Sequence, residues 1–348
     1  MQSARRRVLQ TLSGTLLLPW LGWAQQSCAS GADKVTVIRL NLPGPGSLPF
    51  LPLELISALG LDKEMGVRLV LRYHPSGIRA LEDVLAGNAD FAALGFPTLP
   101  LLQAKGMEPV AIAPIAGEQQ VFKLMVRKDL ARLITRVEHL VGHTIATSTG
   151  SPNSKTYMQM AMEIILSAHG VSAQQVRWLP SGQNWESISG GLISRAADAI
   201  FCEEPFPTRL IREGLGVPLL DLSDKRNRSG LVGIDALRSV VATSRKLVSQ
   251  TEGQRKAELL VTMLRRSLVW INTSEPKLVA QRAVVSNDNE REDIVAVLSK
   301  TPRIYSSDAR FYLQHVHETD LFLRSANSSQ GIPPAINLID SRWAGTLP

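Results

Sequence analysis

The chain has 348 residues, of which 44% are hydrophobic and 20% are charged, and it contains only two cysteines. This composition is that of a globular protein and excludes a disordered, collagen-like or disulfide-stapled chain. The formal net charge is +7, and Arg5, Arg6 and Arg7 supply three of those charges, so the remaining surplus is too small to indicate nucleic-acid binding. Because the length exceeds what one hydrophobic core usually serves, we expect two lobes.

Residues 1–24 have the layout of an export signal: a basic head, an apolar stretch from Val8 to Trp23 and the small residue Ala24. The stretch is too short and too polar to predict a membrane span. The run from Arg5 to Leu9 fits a twin-arginine signal, and a general secretory signal with an arginine-rich head is the alternative. Either signal predicts a mature protein outside the cytoplasm, in the periplasm, with residues 25–34 as a flexible N-terminus.

The two cysteines do not indicate a disulfide or a metal site. Cys28 directly follows the predicted cleavage site and is a candidate for lipid attachment, but the preceding Gln25–Ser27 lacks the apolar and small residues of a lipidation signal. Cys202 follows the apolar run Ala199–Phe201 and is expected to be a small buried residue rather than a nucleophile. No cysteine or histidine spacing suggests zinc, so we expect neither a metal nor a cofactor.

From Val35 onward, predicted strands alternate with predicted helices. Six short apolar runs predict strands, three in each half of the chain: Val35–Leu40, Val67–Leu71 and Phe91–Leu94, then His143–Thr147, Val176–Leu179 and Ala199–Cys202. Glycine-rich and serine-rich turns follow in the same order in both halves, with corresponding landmarks 104 to 108 residues apart. We interpret this as an internal repeat; the alternative is that any two strand–helix units look alike.

Two further segments are predicted to connect the halves. Gln120–Arg127 leaves the first lobe as a strand, Ser239–Thr243 returns to it, and helical spacing follows through the Leu259–Ile271 region. The sequence thus predicts an α/β protein with two parallel-rich sheets, flanking helices and a central cleft. Lobe one comprises residues 35–119 and 236–348, and lobe two comprises residues 120–235.

Ligands of open parallel sheets bind at the carboxyl ends of the strands, where loops enter the following helices. This rule selects three loops in each lobe: Gly44–Phe50, Ser76–Gly77 and Gly95–Thr98, then Ser148–Ser154, Ser181–Trp185 and Glu203–Phe206. The candidate ligand-binding residues in them are Ser47, Pro49, Ser76, Gly77, Gly95, Phe96, Thr98, Ser148, Thr149, Gly150, Ser151, Asn153, Ser154, Gln183, Trp185 and Glu204. We expect no catalytic residue.

The segment Ser148–Ser154 carries the most specific signal among these loops. It supplies four hydroxyl groups, one amide and a flexible glycine directly before a predicted helix, and exposed backbone N–H groups at a helix start attract anions. The segment predicts a site for a sulfonate, carboxylate, nitrate or phosphate group. The alternative is an ordinary helix-capping loop.

Two other candidates each have a structural alternative. Glu203 and Glu204 end an apolar strand before Pro205, and one of them is expected to accept a hydrogen bond from an amine or ring N–H of the ligand. The alternative for Glu204 is that it caps the helix that begins after Pro205, and the capping role is favoured. Trp185 either stacks on a flat ligand or lies in the core.

The order of several short segments resembles the periplasmic solute-binding proteins of ABC importers, in particular the nitrate/sulfonate/taurine (NMT1/THI5-like) branch. These segments are Leu59–Leu61, Ala86–Asp90, Val126–Asp129, Leu140–Gly142, the Gly150–Ser151 loop, Ala197–Ala199 and Glu204–Phe206. The resemblance implies a type II periplasmic-binding-protein fold and ligand contacts near Pro49, in Gly95–Thr98, in Ser148–Ser154 and in Gly182–Trp185. The Pro43–Pro49 loop departs from the family pattern and leaves the ligand open.

The resemblance also implies a function. The protein is expected to be a monomeric, non-enzymatic binding component that closes on a small anionic or zwitterionic compound and delivers it to an ABC permease with its ATPase. Sulfonates, nitrate, small carboxylates and pyrimidines all fit. The alternatives are an enzyme on the same fold, of the thiamine-pyrimidine or menaquinone synthesis type, and a protein that presents its ligand to a sensor.

Overall fold

The structure is a computed structural model that describes residues 35–148, 155–285, 287–326 and 331–347. The predicted export signal, the N-terminal segment and Cys28 lie outside the described residues. So do five of the candidate ligand-binding residues, Thr149, Gly150, Ser151, Asn153 and Ser154. The predictions that concern them stay predictions.

Two five-stranded sheets form the frame of the described chain. In spatial order, the first sheet contains β2 (Val67–His74), β1 (Thr36–Pro43), β3 (Phe91–Gly95), β10 (Ser239–Ser244) and β4 (Pro109–Pro114). The second sheet contains β7 (Arg177–Ser181), β6 (Thr144–Ser148), β8 (Ala199–Glu203), β5 (Phe122–Arg127) and β9 (Gly216–Asp221). Two short strands, β11 (Phe311–Tyr312) and β12 (Thr346–Leu347), pair in parallel elsewhere.

Helices follow the strands of both sheets. They are α1 (Leu51–Ala58), α2 (Leu61–Glu64), α3 (Gly77–Leu85), α4 (Thr98–Gln103), α5 (Tyr157–Ala168), α6 (Trp185–Ile193), α7 (Phe206–Arg212), α8 (Arg245–Val248), α9 (Thr251–Thr273), α10 (Pro276–Arg282), α11 (Asp288–Lys300) and α12 (Leu313–Ser325). No described helix is long and apolar enough to cross a membrane.

The two sheets have the same topology. In the first sheet β1 pairs in parallel with β2 and β3, while β10 runs antiparallel to β3 and β4. In the second sheet β6 pairs in parallel with β7 and β8, while β5 runs antiparallel to β8 and β9. The predicted two-lobed α/β fold with parallel-rich sheets is therefore confirmed, and the repeat extends to the order of the strands.

Each sheet receives its antiparallel strand from a segment that crosses between the sheets. Strand β5 follows the last parallel strand of the first sheet but pairs in the second, and β10 returns the chain from the second sheet to the first. These are the two crossing segments that the sequence predicts. The domain boundaries at residues 119/120 and 235/236 stay a prediction.

Burial follows the apolar runs that predicted the strands. All five residues of β8 are buried, as are four of the five in β3, which is typical of strands covered by helices on both faces. The long helix α9 packs on α1, and the hydroxyl of Ser267 donates a hydrogen bond to the carbonyl of Pro52 between them. Helix α11 contacts α7, where Arg212 and Asp293 form an ion pair of 2.9 Å.

Candidate ligand cavity between the two sheets

The loops at the carboxyl ends of the two sheets touch each other. The backbone N–H of Leu48, after β1, donates to the carbonyl of Glu204 after β8, over 3.1 Å. The N–H of Gln183, after β7, donates to the carbonyl of Pro75 after β2, over 3.3 Å. These bonds bring loops from both halves of the repeat together, as the topological rule for parallel sheets predicts.

Two glycines allow this close approach. A Cβ atom on Gly44, whose φ is +34°, would lie 1.7 Å from the carbonyl oxygen of Gln183. A Cβ atom on Gly95 would lie 2.6 Å from the Cβ of Tyr157, the first residue of α5. Both positions therefore exclude larger side chains while the sheets are in contact.

A cavity of about 40 Å³ lies between the loops, which is room for on the order of three water molecules. Six of the predicted site residues line it: Pro49, Gly77, Gly95, Thr98, Ser148 and Gln183. The first four come from the loops of the first sheet and the last two from the second. The hydroxyl of Ser148 donates to Oε1 of Gln183 over 3.4 Å, and that of Thr98 donates to the carbonyl of Gly95 over 2.8 Å.

Five described candidates do not line the cavity. Phe96 is fully buried in the core, because its ring belongs to the apolar cluster under β3 rather than to the loop surface. Ser76 is also buried, and its hydroxyl has no hydrogen-bond partner among the described residues. Ser47 lies behind the wall, where its hydroxyl donates to Oε1 of Glu203 over 2.9 Å.

The side chains of Trp185 and Glu204 both contact charged residues of the protein itself. The guanidinium of Arg209 lies 3.9 Å from the ring centroid of Trp185, so the ring is covered by a cation of the neighbouring helix α7. The carboxylate of Glu204 forms an ion pair of 2.7 Å with Lys123 and accepts the N–H of Thr208 over 3.1 Å. The carboxylate of Glu204 thus accepts a backbone N–H of the first turn of α7, as the favoured alternative expects, and Glu204 does not line the cavity.

Glu203 lies in a predicted loop but is absent from the candidate residues chosen from it, and it does line the cavity. Its Oε1 accepts hydrogen bonds from Ser47 and from Nε2 of Gln183 at 2.9 and 3.0 Å, whereas its Oε2 is buried without a partner among the described residues. Burial raises the pKa of this carboxyl, although the two hydrogen bonds act in the opposite direction. The sequence held one signal that could have singled out Glu203. Successive residues of a strand point to opposite faces, so the two neighbouring glutamates at the end of β8 are expected to face different sides.

Arg238, which directly precedes β10, also lines the cavity. It is only 5% exposed, and its guanidinium donates to the backbone carbonyls of Gly117 and Gln119. Burial lowers the pKa of Arg238 from its ordinary value, but that value is so high that the group stays charged at neutral pH. Nothing in the local sequence distinguishes Arg238 from a surface arginine.

The rings of Phe122 and Tyr157 form part of the apolar wall. The ring of Tyr157 lies 5.3 Å from that of Phe122 and stacks on Phe322 at 5.2 Å. Burial raises the pKa of Tyr157 to about 12, so its hydroxyl is neutral. In the part of the chain that the structure describes, no three His, Cys, Asp or Glu side chains are arranged to hold a metal ion.

Two sheets of equal topology, two crossing strands and a cavity between the carboxyl ends define the periplasmic-binding-protein fold, and solved structures support this assignment. A protein of Bordetella bronchiseptica RB50 superposes with a TM-score of 0.76 at 19% identity, covering 89% of this chain and 96% of that one. The alkanesulfonate-binding protein SsuA of Xanthomonas axonopodis pv. citri, bound to MOPS, gives a TM-score of 0.70 at 14% identity over 88% and 98% of the two chains.

The periplasmic nitrate-binding protein NrtA of Synechocystis PCC 6803 gives a TM-score of 0.68 at 13% identity, over 88% of this chain and 86% of that one. The model of the NMT1/THI5-like family matches residues 57–224. This part of the chain is similar to that family, as the ordered segments predict. No protein of curated function matches the sequence significantly.

Proposed function

We propose that this protein is the extracytoplasmic solute-binding component of an ABC importer. It binds a small anionic or zwitterionic organic compound between its two lobes and delivers it to a membrane permease with its ATPase. The observation that carries the proposal is the cavity at the carboxyl ends of both sheets, with polar groups from both halves of the repeat in its wall. The similar fold of the sulfonate-binding and nitrate-binding proteins supports it.

The proposed mechanism is closure of the lobes about the crossing strands β5 and β10. The loops that touch across the cavity do so through few direct bonds, among them Leu48 to Glu204 and Gln183 to Pro75. A ligand that contacts both sides adds bonds present only in the closed form, and it therefore shifts the equilibrium toward that form.

A binding role fits two hydroxyls of the wall, those of Ser148 and Thr98, better than catalysis does. A nucleophilic serine or threonine needs a neighbouring base that accepts its proton. The hydroxyls of Ser148 and Thr98 instead donate to the amide oxygen of Gln183 and the carbonyl of Gly95. Neither acceptor takes up a proton at neutral pH, so neither hydroxyl is activated.

A thermal-shift screen of the purified protein tests the proposal. The compounds are alkanesulfonates, taurine, nitrate, small carboxylates and aminopyrimidines, and a true ligand raises the melting temperature because it binds only the native state. Titration calorimetry then measures affinity and stoichiometry, which we expect to be one to one. A screen in which none of these compounds raises the melting temperature would refute the proposed function.

The predicted anion loop is tested in the same assay. Each charge-assisted hydrogen bond contributes about 1.5–3 kcal/mol, so we expect Ser151→Ala combined with Ser154→Ala to weaken binding at least tenfold. The control is Ser249→Ala combined with Ser299→Ala, since these exposed serines do not line the cavity. If the first double variant binds as tightly as the unaltered protein, the loop does not hold the ligand.

A further inference from the structure

Helix α11 follows the part of the chain that packs on the first sheet, but it contacts a helix of the second. It comes after β10, which returns the chain to the first sheet, and after α9, which packs on α1 and contacts β1 and β4. Its partner α7 instead packs on β8 and β9 of the second sheet. None of the residues of these two described helices lines the cavity. The contact between α11 and α7 is therefore a link between the two halves of the repeat that is separate from the cavity wall.

Two ion pairs join these helices. The guanidinium of Arg209 in α7 lies 2.8 Å from the carboxylate of Glu290 in α11. One turn further along α7, Arg212 lies 2.9 Å from the carboxylate of Asp293, which is only 3% exposed. Glu213 of α7 also contacts both arginines, at 3.0 and 3.5 Å. Because charge-assisted hydrogen bonds are directional, the two pairs fix the position of α7 against α11 in this arrangement.

The chain on both sides of the α10–α11 pair is held on the side of the first sheet. Before the pair, Nδ2 of Asn272, in the last turn of α9, donates to the carbonyl of Ser306 over 2.9 Å. After the pair, the N–H of Ser306 donates to the carbonyl of Ile115 over 2.8 Å, and the N–H of Gly117 donates to the carbonyl of Ile304 over 2.8 Å. Ile115 and Gly117 lie between β4 of the first sheet and the crossing strand β5. We therefore expect α11 to stay with the first sheet when the second sheet rotates.

The length of α11 converts such a rotation into a displacement at the ion pairs. Asp293 and Glu290 lie 7 and 10 residues before Lys300, the last residue of α11. At 1.5 Å per residue, these positions are about 10 and 15 Å from the end of the helix near the crossing segment. A rigid-body rotation of about 15° changes their separation from α7 by roughly 3–4 Å, which is enough to break both pairs. Opening of the lobes and the contact between α7 and α11 therefore exclude each other.

Arg209 also connects α11 to a loop of the cavity. Its guanidinium lies 3.9 Å from the ring centroid of Trp185, the first residue of α6. Trp185 follows two residues after Gln183, which lines the cavity. One side chain thus contacts α11 on one side and, on the other, the helix that begins at the loop after β7.

Building on the proposed function, we propose that α11 is a latch that holds the second sheet in the closed arrangement even without ligand, with Arg209 and Arg212 as positioning residues. The latch raises the fraction of molecules whose cavity walls are already close together. Because the measured affinity is proportional to the fraction of the binding-competent form, a weaker latch lowers the affinity without changing any contact of the ligand.

Small-angle X-ray scattering of the unliganded protein tests the latch without any ligand. The variant Glu290→Arg places a third cation beside Arg209 and Arg212, so we expect it to separate α11 from α7. The radius of gyration should rise by about 1 Å above the roughly 20 Å of a compact chain of this size. The matched control is Glu292→Arg, which makes the same charge change at an exposed residue of α11, two positions along and therefore on another face of the helix. A radius of gyration that is the same in Glu290→Arg and in the unaltered protein would overturn the inference.

Exchange of the two charges distinguishes the latch from a general loss of stability. Glu290→Arg combined with Arg209→Glu restores opposite charges across the contact, so the radius of gyration should return to that of the unaltered protein. Calorimetry with the compound found in the thermal-shift screen should show the same order. We expect affinity to fall about fivefold or more in Glu290→Arg and to recover to within about threefold in the exchanged variant, which still lacks the contact of Arg209 with Trp185. An exchanged variant that is no better than Glu290→Arg alone would overturn the inference.

The two proposals fail in different ways. If a ligand binds and Glu290→Arg changes neither its affinity nor the radius of gyration, the latch is wrong and the solute-binding function stands. If no compound binds, the proposed function is wrong, and scattering of the unliganded variants still decides whether α11 holds the two sheets together. Circular dichroism and the melting temperature check that each variant folds. If Glu290→Arg does not fold, Glu290→Gln replaces it, and a radius of gyration unchanged in that variant also overturns the inference.

Discussion

Replacing Gly95 by alanine tests the idea that the two sheets close directly on each other. Gly95 ends β3 and lines the cavity, and its added Cβ would lie 2.6 Å from the Cβ and 3.3 Å from the Cγ of Tyr157. Ordinary contacts of this kind begin at 3.4 Å. The φ angle of Gly95 is not in the left-handed region, so the substitution acts through this contact rather than through backbone strain.

The size of the effect follows from the overlap. The backbone of α5 and the Cβ of Tyr157 cannot rotate away, so the contact is relieved only by a separation of the sheets or by local repacking. Extra carbon atoms in a packed region typically cost about 1–3 kcal/mol. Since each 1.4 kcal/mol changes an equilibrium constant tenfold, ligand affinity should fall about 5-fold to 150-fold. Under the proposed closure mechanism, this penalty is present only in the closed form.

Calorimetry with the compound found in the thermal-shift screen measures this loss, and small-angle X-ray scattering with ligand measures the expected increase in the radius of gyration. The control is Gly190→Ala in α6, where an added Cβ meets nothing within 4 Å and alanine favours the helix. Affinity of Gly95→Ala within twofold of the unaltered protein would show that the contact with Tyr157 is not part of the ligand-bound form.

Two further predictions concern buried groups away from the ligand. Burial raises the pKa of Glu54 from 4.5 to about 7 despite the hydrogen bond from Tyr73. Between these two pH values the folded protein keeps a proton that the unfolded chain loses. The free energy of unfolding should therefore fall by up to roughly 3 kcal/mol as the pH rises through this interval. Urea unfolding at pH 5 to 8 should show this decrease, Glu54→Gln should remove it, and an identical pH dependence in both proteins would contradict the assignment. Burial also raises the pKa of the Cys202 thiol. In a Cys28→Ser variant we therefore expect Ellman's reagent to label Cys202 only after unfolding. Labelling of the native protein within minutes would show that the surroundings of Cys202 open to solvent.

The architecture was predictable because its signal is local and repeated. The runs that became β3 and β8 are almost wholly apolar, and a proline lies two residues after the end of each strand. The edge strands β4 and β9 were missed, because Pro109, Pro114 and Pro218 interrupt the strand pattern. Proline lacks the backbone N–H that donates a hydrogen bond to the neighbouring strand, and it is tolerated on edge strands. The sequences of β4 and β9 therefore fit their edge positions in the observed sheets.

The cavity was only partly predictable, because its chemistry depends on side-chain direction and on distant segments. The loop after β8 was predictable from the sequence, but the residue chosen in it, Glu204, pairs with Lys123, whereas its neighbour Glu203 lines the cavity. Phe96 lies in a correctly selected loop but turns into the core. Arg238 enters the wall only because β10 returns to the first sheet, and that placement arises from tertiary structure.

The register of the sheets offers a physical link between ligand binding and the proposed closure of the lobes. Phe122, the first residue of β5, is paired with Glu203 at the end of β8, and Ser239, the first residue of β10, is paired with Gly95 at the end of β3. All four line the cavity, so equivalent corners of the two sheets face each other across it. Each corner joins a crossing strand to the carboxyl end of a central parallel strand. A ligand held by both corners therefore contacts the ends of the two strands about which the lobes are proposed to rotate. Its binding affects these strands directly rather than through the rest of the molecule.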